Sequence, residues 1–150
     1  MLKGISPLLN ADVLFALRAM GHGDDLAIVD TNFPAESIAR QTSLGRLLRI
    51  DNVSAAEAVA AVLSVFPLDT FVDDAAARMQ VVGKPDEIMP VQEEVQNVVD
   101  AAEGRHRPLI GIERYAFYER AKQAFCVIQT GERRFYGCFA FRKGVIPPDE

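Results

Sequence analysis

Cysteine is scarce in this sequence. Cys126 and Cys138 are the only two, and no CxxC spacing sets them up as a metal or redox pair. They read as reduced thiols of a cytoplasmic protein, with one Cys126–Cys138 disulfide as the alternative. Positive charge is limited too: 16 lysines and arginines face 21 acids, for a net charge of −5. With no basic cluster, that balance argues against nucleic acid or an anionic membrane as the main partner. No apolar stretch approaches the roughly 20 residues of a membrane span, and Met1-Leu2-Lys3-Gly4 lacks the apolar core of a secretion signal. The glycine-rich dinucleotide fingerprint, the phosphate-binding P-loop, zinc-type Cys/His clusters and the serine nucleophile elbow are all missing. So are internal repeats, low-complexity tracts and linkers.

What is present points to one folded unit spanning 1–150. Hydrophobic residues make up 49% of its 150 positions, enough for a core without staples. Asn10 is placed to cap a helix with Val13, Leu14, Leu17 and Met20 on one face. Leu26-Ala27-Ile28-Val29 is an unbroken apolar run, as expected of a strand covered on both sides, and Asp30 closes it. Pro34 opens a short helix through Ile38, and Leu47 to Ile50 forms a second strand. Ser54 and Glu57 form a capping box before Val59, Val62, Leu63 and Phe66, and Pro67 stops that helix. Met79 to Gly83 reads as the end of a third strand. A helix follows from about Pro90 to Ala102. Leu109 to Ile112 is a fourth strand, leading to a short helix over Phe117 to Ala124. Phe125 to Thr130 and Phe135 to Phe141 are joined by Gly131-Glu132-Arg133-Arg134 in a hairpin-like connection. Strands alternating with helices predict an α/β layered domain with a central mixed sheet flanked by helices.

Two polar clusters stand out. The first is Met20-Gly21-His22-Gly23-Asp24, followed by Asp30. Gly21 can take the left-handed state that ends a helix, which makes His22 point away from the fold. Histidine is suited to exchanging a proton near neutral pH, and Asp30 at the rim of the same sheet is the candidate partner. A histidine favoured by the helix dipole is an equal alternative. Asp24 and Asp25 also read as turn acids, Asp25 the more clearly. A divalent metal on His22, Asp24 and Asp30 is disfavoured because no second histidine lies nearby. His106, between Arg105 and Arg107, reads as a solvated loop residue. The second cluster is Arg114 after the fourth strand, Tyr118 on the short helix and Tyr136 opening the last strand. A fork of donors beside amphipathic rings suits a small polyhydroxylated ligand. The alternatives are core packing for the aromatics and a surface ion pair for Arg114.

Further segments narrow the choice. Met1-Leu2-Lys3-Gly4-Ile5-Ser6-Pro7, Met20 to Asp24, Asp30, Phe33-Pro34-Ala35, Arg114 to Ala121 (RYAFYERA), Thr130 to Arg133, Tyr136-Gly137 and Lys143-Gly144-Val145 occur in order. With these, the chain resembles the L-fucose mutarotase and D-ribose pyranase family, its fucose branch most closely; Phe71 to Pro108 matches poorly. The resemblance implies a cofactor-free and metal-free isomerase that interconverts the anomers of a reducing monosaccharide. It implies His22 as proton donor and sugar contacts at Asp30, Arg114 and Tyr136-Gly137-Cys138; Tyr118 joins the candidate sugar contacts on its residue type and its place on the short helix. It also implies a ring-based homo-decamer with sites between neighbouring subunits. Cys138 departs from the family's asparagine, and a thiol is only a weak donor. Ribose pyranase-type activity on another sugar, a non-catalytic sugar-binding or transport-associated subunit, and a structural oligomer are the alternatives.

Overall fold

Leu26, Ala27, Ile28 and Val29 have no exposed surface. A run buried at every position is a strand covered on both faces. In the computed structural model, which describes residues 1–150, the run lies in β1 (Asp25–Val29) within a six-stranded sheet. The other strands are β2 (Leu48–Ile50), β3 (Ala76–Met79), β4 (Ile110–Ile112), β5 (Cys126–Thr130) and β6 (Phe139–Arg142), in the order β2-β5-β1-β6-β3-β4. β6 runs antiparallel to both its neighbours, β1 and β3. The other pairings are parallel.

Alternation along each strand divides the interior into two cores. Leu26, Ile28, Ile128, Phe139 and Phe141 face the larger one, built with α1 (Ala11–Ala19), α3 (Ala55–Leu63) and α4 (Pro90–Glu103). Ala27, Val29, Val127 and Ala140 face the smaller one, with α2 (Ala35–Ala39) and α5 (Arg114–Gln123). The helix ends follow local chemistry. Asn10 accepts the Val13 N–H at 3.0 Å, Ser54 and Glu57 complete their capping box, and left-handed Gly104 (φ 67°) closes α4. No helix is long and apolar enough to cross a membrane.

Several sequence expectations need correction. β5 and β6 are not a hairpin: β1 lies between them and pairs with both, so Gly131 to Arg134 belongs to a loop that crosses over it. Tyr136 therefore sits in that loop, three residues before β6, and does not open a strand. The third strand ends at Met79, where it was expected to continue toward Gly83. α5 begins three residues earlier than predicted, because the Glu113 carboxylate accepts the N–H groups of Tyr115 and Ala116 and caps it. The left-handed glycine after α1 is Gly23 (φ 86°), not Gly21. Both cysteines are buried and free.

Candidate functional site

Five strands point the same way, so their carboxyl ends share one rim with the start of β6. In open α/β sheets this rim is where ligands bind. Asp30 leaves β1 there, Met79 ends β3, Arg114 follows β4, and the 131–138 loop delivers Tyr136, Gly137 and Cys138. Together with Tyr118 these residues border a cavity of about 340 Å³. Phe33, Val82 and Phe135 add apolar wall. The expected contacts Asp30, Arg114, Tyr118, Tyr136 and Cys138 thus line one cavity, and Gly137 lies beside it in the same loop.

Asp30 is 3% exposed, and a carboxylate so buried needs partners. Its Oδ1 accepts the N–H groups of Asn32 and Phe33, both at 3.0 Å. Its Oδ2 accepts from Gly137 N–H at 3.1 Å and the Cys138 thiol at 3.4 Å. Burial and the nearby Asp30 charge push the Cys138 thiol well above its ordinary pKa, so it stays a protonated donor. Gly137 has to be glycine, because a Cβ there would stand 2.8 Å from Glu132 Cγ and 3.4 Å from Asp30 Cβ.

The loop itself is held by charge. Glu132 is 4% exposed and accepts from Arg134 Nε at 2.9 Å and from the Ala55 N–H that opens α3 at 3.2 Å. The Arg134 guanidinium holds the Glu132 carboxyl down at about 2 and also forks onto Glu94 of α4 at 2.8 and 2.7 Å. Between these anchors Tyr136 adopts φ 62°, a left-handed state rare for a bulky residue. Its hydroxyl accepts the Val82 N–H at 3.2 Å. Across the cavity Arg114 and Tyr118 lie one turn apart on α5, and Arg114 Nε donates to the Tyr118 hydroxyl at 3.0 Å. The guanidinium carbon also sits 5.3 Å from the Tyr115 ring centroid and 5.4 Å from that of Tyr118.

His22 is elsewhere. It precedes β1 while Asp30 follows it, so the strand separates them by about 13 Å at the usual rise per residue. Within one subunit they are not a proton-transfer pair, and the His22, Asp24, Asp30 metal set does not assemble. The apolar run that made the two look adjacent is the strand that parts them. The carboxylate that His22 meets is Asp69, with Nε2 3.2 Å from Oδ1. Asp69 is 3% exposed, and the Phe71 N–H, bonded at 3.0 Å, holds its pKa below the ordinary value. The Phe71 ring lies 5.5 Å from the imidazole. The imidazole itself is 45% exposed, outward as expected. Asp24 ties back its own turn by accepting the Gly21 N–H at 2.7 Å. Asp25 is no turn acid: it opens β1 and takes forked bonds from both Arg120 and Arg142. His106 is exposed and paired with Asp100 at 2.7 Å. Sequence reasoning missed Asp69 and Phe71, which lie where no periodicity marked an element.

An open α/β sheet with a cavity of about 340 Å³ at its carboxyl rim has the architecture of small-ligand-binding α/β domains. A model of the RbsD / FucU transport protein family matches residues 3–146, and the chain belongs to that family. The human protein named fucose mutarotase is 43% identical over 97% of this chain and 94% of its own length. Protein Atu2016, known from a crystal structure, is 66% identical with a TM-score of 0.96, covering 98% of this chain and 97% of its own. The fucose mutarotase of Streptococcus pneumoniae, crystallised in complex with L-fucose, is 32% identical with a TM-score of 0.86 over 97% of this chain and 100% of its own.

Proposed function

We propose that this protein is a sugar mutarotase that interconverts the α and β anomers of L-fucose or a closely related reducing monosaccharide. The observation that carries the reading is the carboxyl-rim cavity. A buried carboxylate fixed by four donors faces a guanidinium–tyrosine clamp across a space of about 340 Å³, with apolar wall between them. Charged and aromatic groups so arranged hold ring hydroxyls on one side and an apolar carbon, such as the methyl of a deoxy sugar, on the other. The names of the human and streptococcal relatives support the substrate class.

Opening a cyclic hemiacetal needs a proton delivered to the ring oxygen while another leaves the anomeric hydroxyl. The free aldehyde then rotates, and the ring recloses on its other face. His22 supplies the group that exchanges the proton, and Asp69 orients its ring as the carboxylate behind a general base does. Asp30, Arg114, Tyr118 and the Tyr136-Gly137-Cys138 segment hold the sugar. Since His22 lies at the opposite rim of its own sheet, it serves the cavity of a neighbouring copy. The reading therefore includes a cytoplasmic homo-oligomer, a decamer by family resemblance, with each site shared between two subunits.

The test is nuclear magnetic resonance of equilibrated L-fucose. Magnetisation exchange between the α and β signals is expected on adding protein. Sugar binding without exchange would make the chain a binding subunit instead. The shared site has its own test. His22→Ala and Arg114→Ala are each inactive alone, and a dissociated and reassembled equal mixture is expected to regain about a quarter of wild-type activity, because random neighbours restore one site in four. No regain overturns the shared site.

A further inference from the structure

We propose that Gln92, which belongs to no part of the cavity wall, is a positioning residue that sets the sugar-binding face of Tyr136. The inference rests on the sugar site described above. Gln92 has no exposed surface, and a buried carboxamide is tolerated only when its donors and acceptor are matched. All are. Oε1 accepts the Met89 N–H at 3.1 Å, while Nε2 donates to the Met79 carbonyl at 2.8 Å and the Tyr136 carbonyl at 3.2 Å. Both carbonyls belong to residues that line the cavity, one ending β3 and one in the 131–138 loop. A single side chain on α4 therefore spaces two cavity walls that meet nowhere in the sequence.

Tyr136 needs such a hold. Its left-handed backbone (φ 62°) is unfavourable for a residue with a Cβ, and such a state persists only where its surroundings over-determine it. The following N–H is bonded to Asp30 and the preceding loop to Glu94. The carbonyl of Tyr136 itself is fixed by Gln92. Without that bond the left-handed backbone loses the hold on its own carbonyl, and the Val82 N–H on the hydroxyl is left to keep the ring in place.

Gln96, one turn further along α4, supplies a matched comparison. Its carboxamide donates to Asp100 Oδ1 and the Arg107 carbonyl, both at 2.7 Å, and accepts the Leu109 N–H at 2.8 Å. It staples the same helix to backbone in the same manner, but away from the cavity.

The experiment measures the sugar-concentration dependence of anomer exchange, its pH profile and thermal unfolding for wild type, Gln92→Met, Gln92→Glu and Gln96→Met. Gln92→Met is expected to raise KM about tenfold with kcat within about twofold, as a displaced binding wall requires. Its pH profile stays put, because the proton-transfer group is untouched. Gln92→Glu is expected to fall between, since a buried carboxyl facing carbonyl oxygens stays protonated and its single O–H replaces one of two lost donors. Gln96→Met lowers the unfolding temperature and leaves KM alone. A Gln92→Met that matches wild type in KM, or behaves like Gln96→Met, overturns the proposal. If Gln92→Met does not fold, Gln92→Glu decides, and a wild-type KM there overturns it. A wild type that neither exchanges nor binds sugar removes the site reading and this inference together, whereas exchange with unaltered KM in both Gln92 variants removes the inference alone.

Discussion

The two rims of the sheet are built differently. The carboxyl rim has a cavity, a carboxylate braced by three backbone N–H groups and a thiol, and a guanidinium resting on aromatic faces, but no histidine. The opposite rim has an outward imidazole backed by a buried carboxylate, and beside it a lattice of Asp25, Arg120, Arg142 and Asp74. Asp30 is fixed by several hydrogen bonds, whereas the His22 imidazole is left half in solvent. In the proposed shared site, that contrast lets the sugar be held firmly while the His22 imidazole keeps the freedom to exchange a proton.

The comparison breaks most sharply at the imidazole. His22→Ala is expected to lower the anomer-exchange rate by about 10²–10⁴-fold, the usual worth of a positioned acid–base group, while titration still detects sugar binding. Equal loss of binding would mean that the two rims do not divide the work.

Next in size is the anchor of the carboxyl rim. The Glu132 carboxyl is held at about 2 in the fold against an ordinary 4.5. A depressed folded-state pKa stabilises fully above about 4.5 and loses its contribution as pH falls through about 2. Glu132→Gln should therefore cost on the order of 3 kcal/mol in chemical unfolding at pH 7. The gap from wild type should close as the pH is lowered from 4.5 toward 2. A gap that persists at pH 2 would show that shape, not charge, is what Glu132 supplies.

The smallest effect belongs to the thiol. Cys138→Ala removes one weak donor of the four on Asp30, so KM is expected to change by less than about threefold. A larger change would mark the thiol as a direct sugar contact.

Much of the fold was legible before any coordinates. Asn10, Ser54 with Glu57, and Pro90 announce helix starts because capping is local chemistry that a few neighbouring residues settle. Strand order is not local. Gly131 to Arg134 looks like a hairpin because nothing in those residues records that β1 inserts between the strands they join. β3 was misplaced because Ala76 and Ala77, poor strand formers by propensity, are strand by burial alone. Asp30, Arg114, Tyr118 and Tyr136 could be singled out because such side chains carry chemistry in their type, whereas Gly137 and Cys138 were marked only by the family resemblance. The His22–Asp30 pairing failed for a geometric reason: eight residues is a short interval in sequence and a long one when most of it is extended. Asp69 left no mark of its own, and Gln92 looks like any other helix glutamine until its burial is seen.

Lys143 has a practical consequence for handling the protein. Its backbone exchanges hydrogen bonds with Gly23 and Asp24, and its ammonium donates to the carbonyls of Leu17 and Met20 at 2.7 and 2.5 Å. The segment leaving the last strand is thus moored to the turn that carries the imidazole, some 120 residues upstream in the chain. Trimming the tail back past Lys143 unmoors that turn and, on the role proposed for His22, is expected to slow anomer exchange from the far terminus. An affinity tag fused after Glu150 leaves the mooring in place.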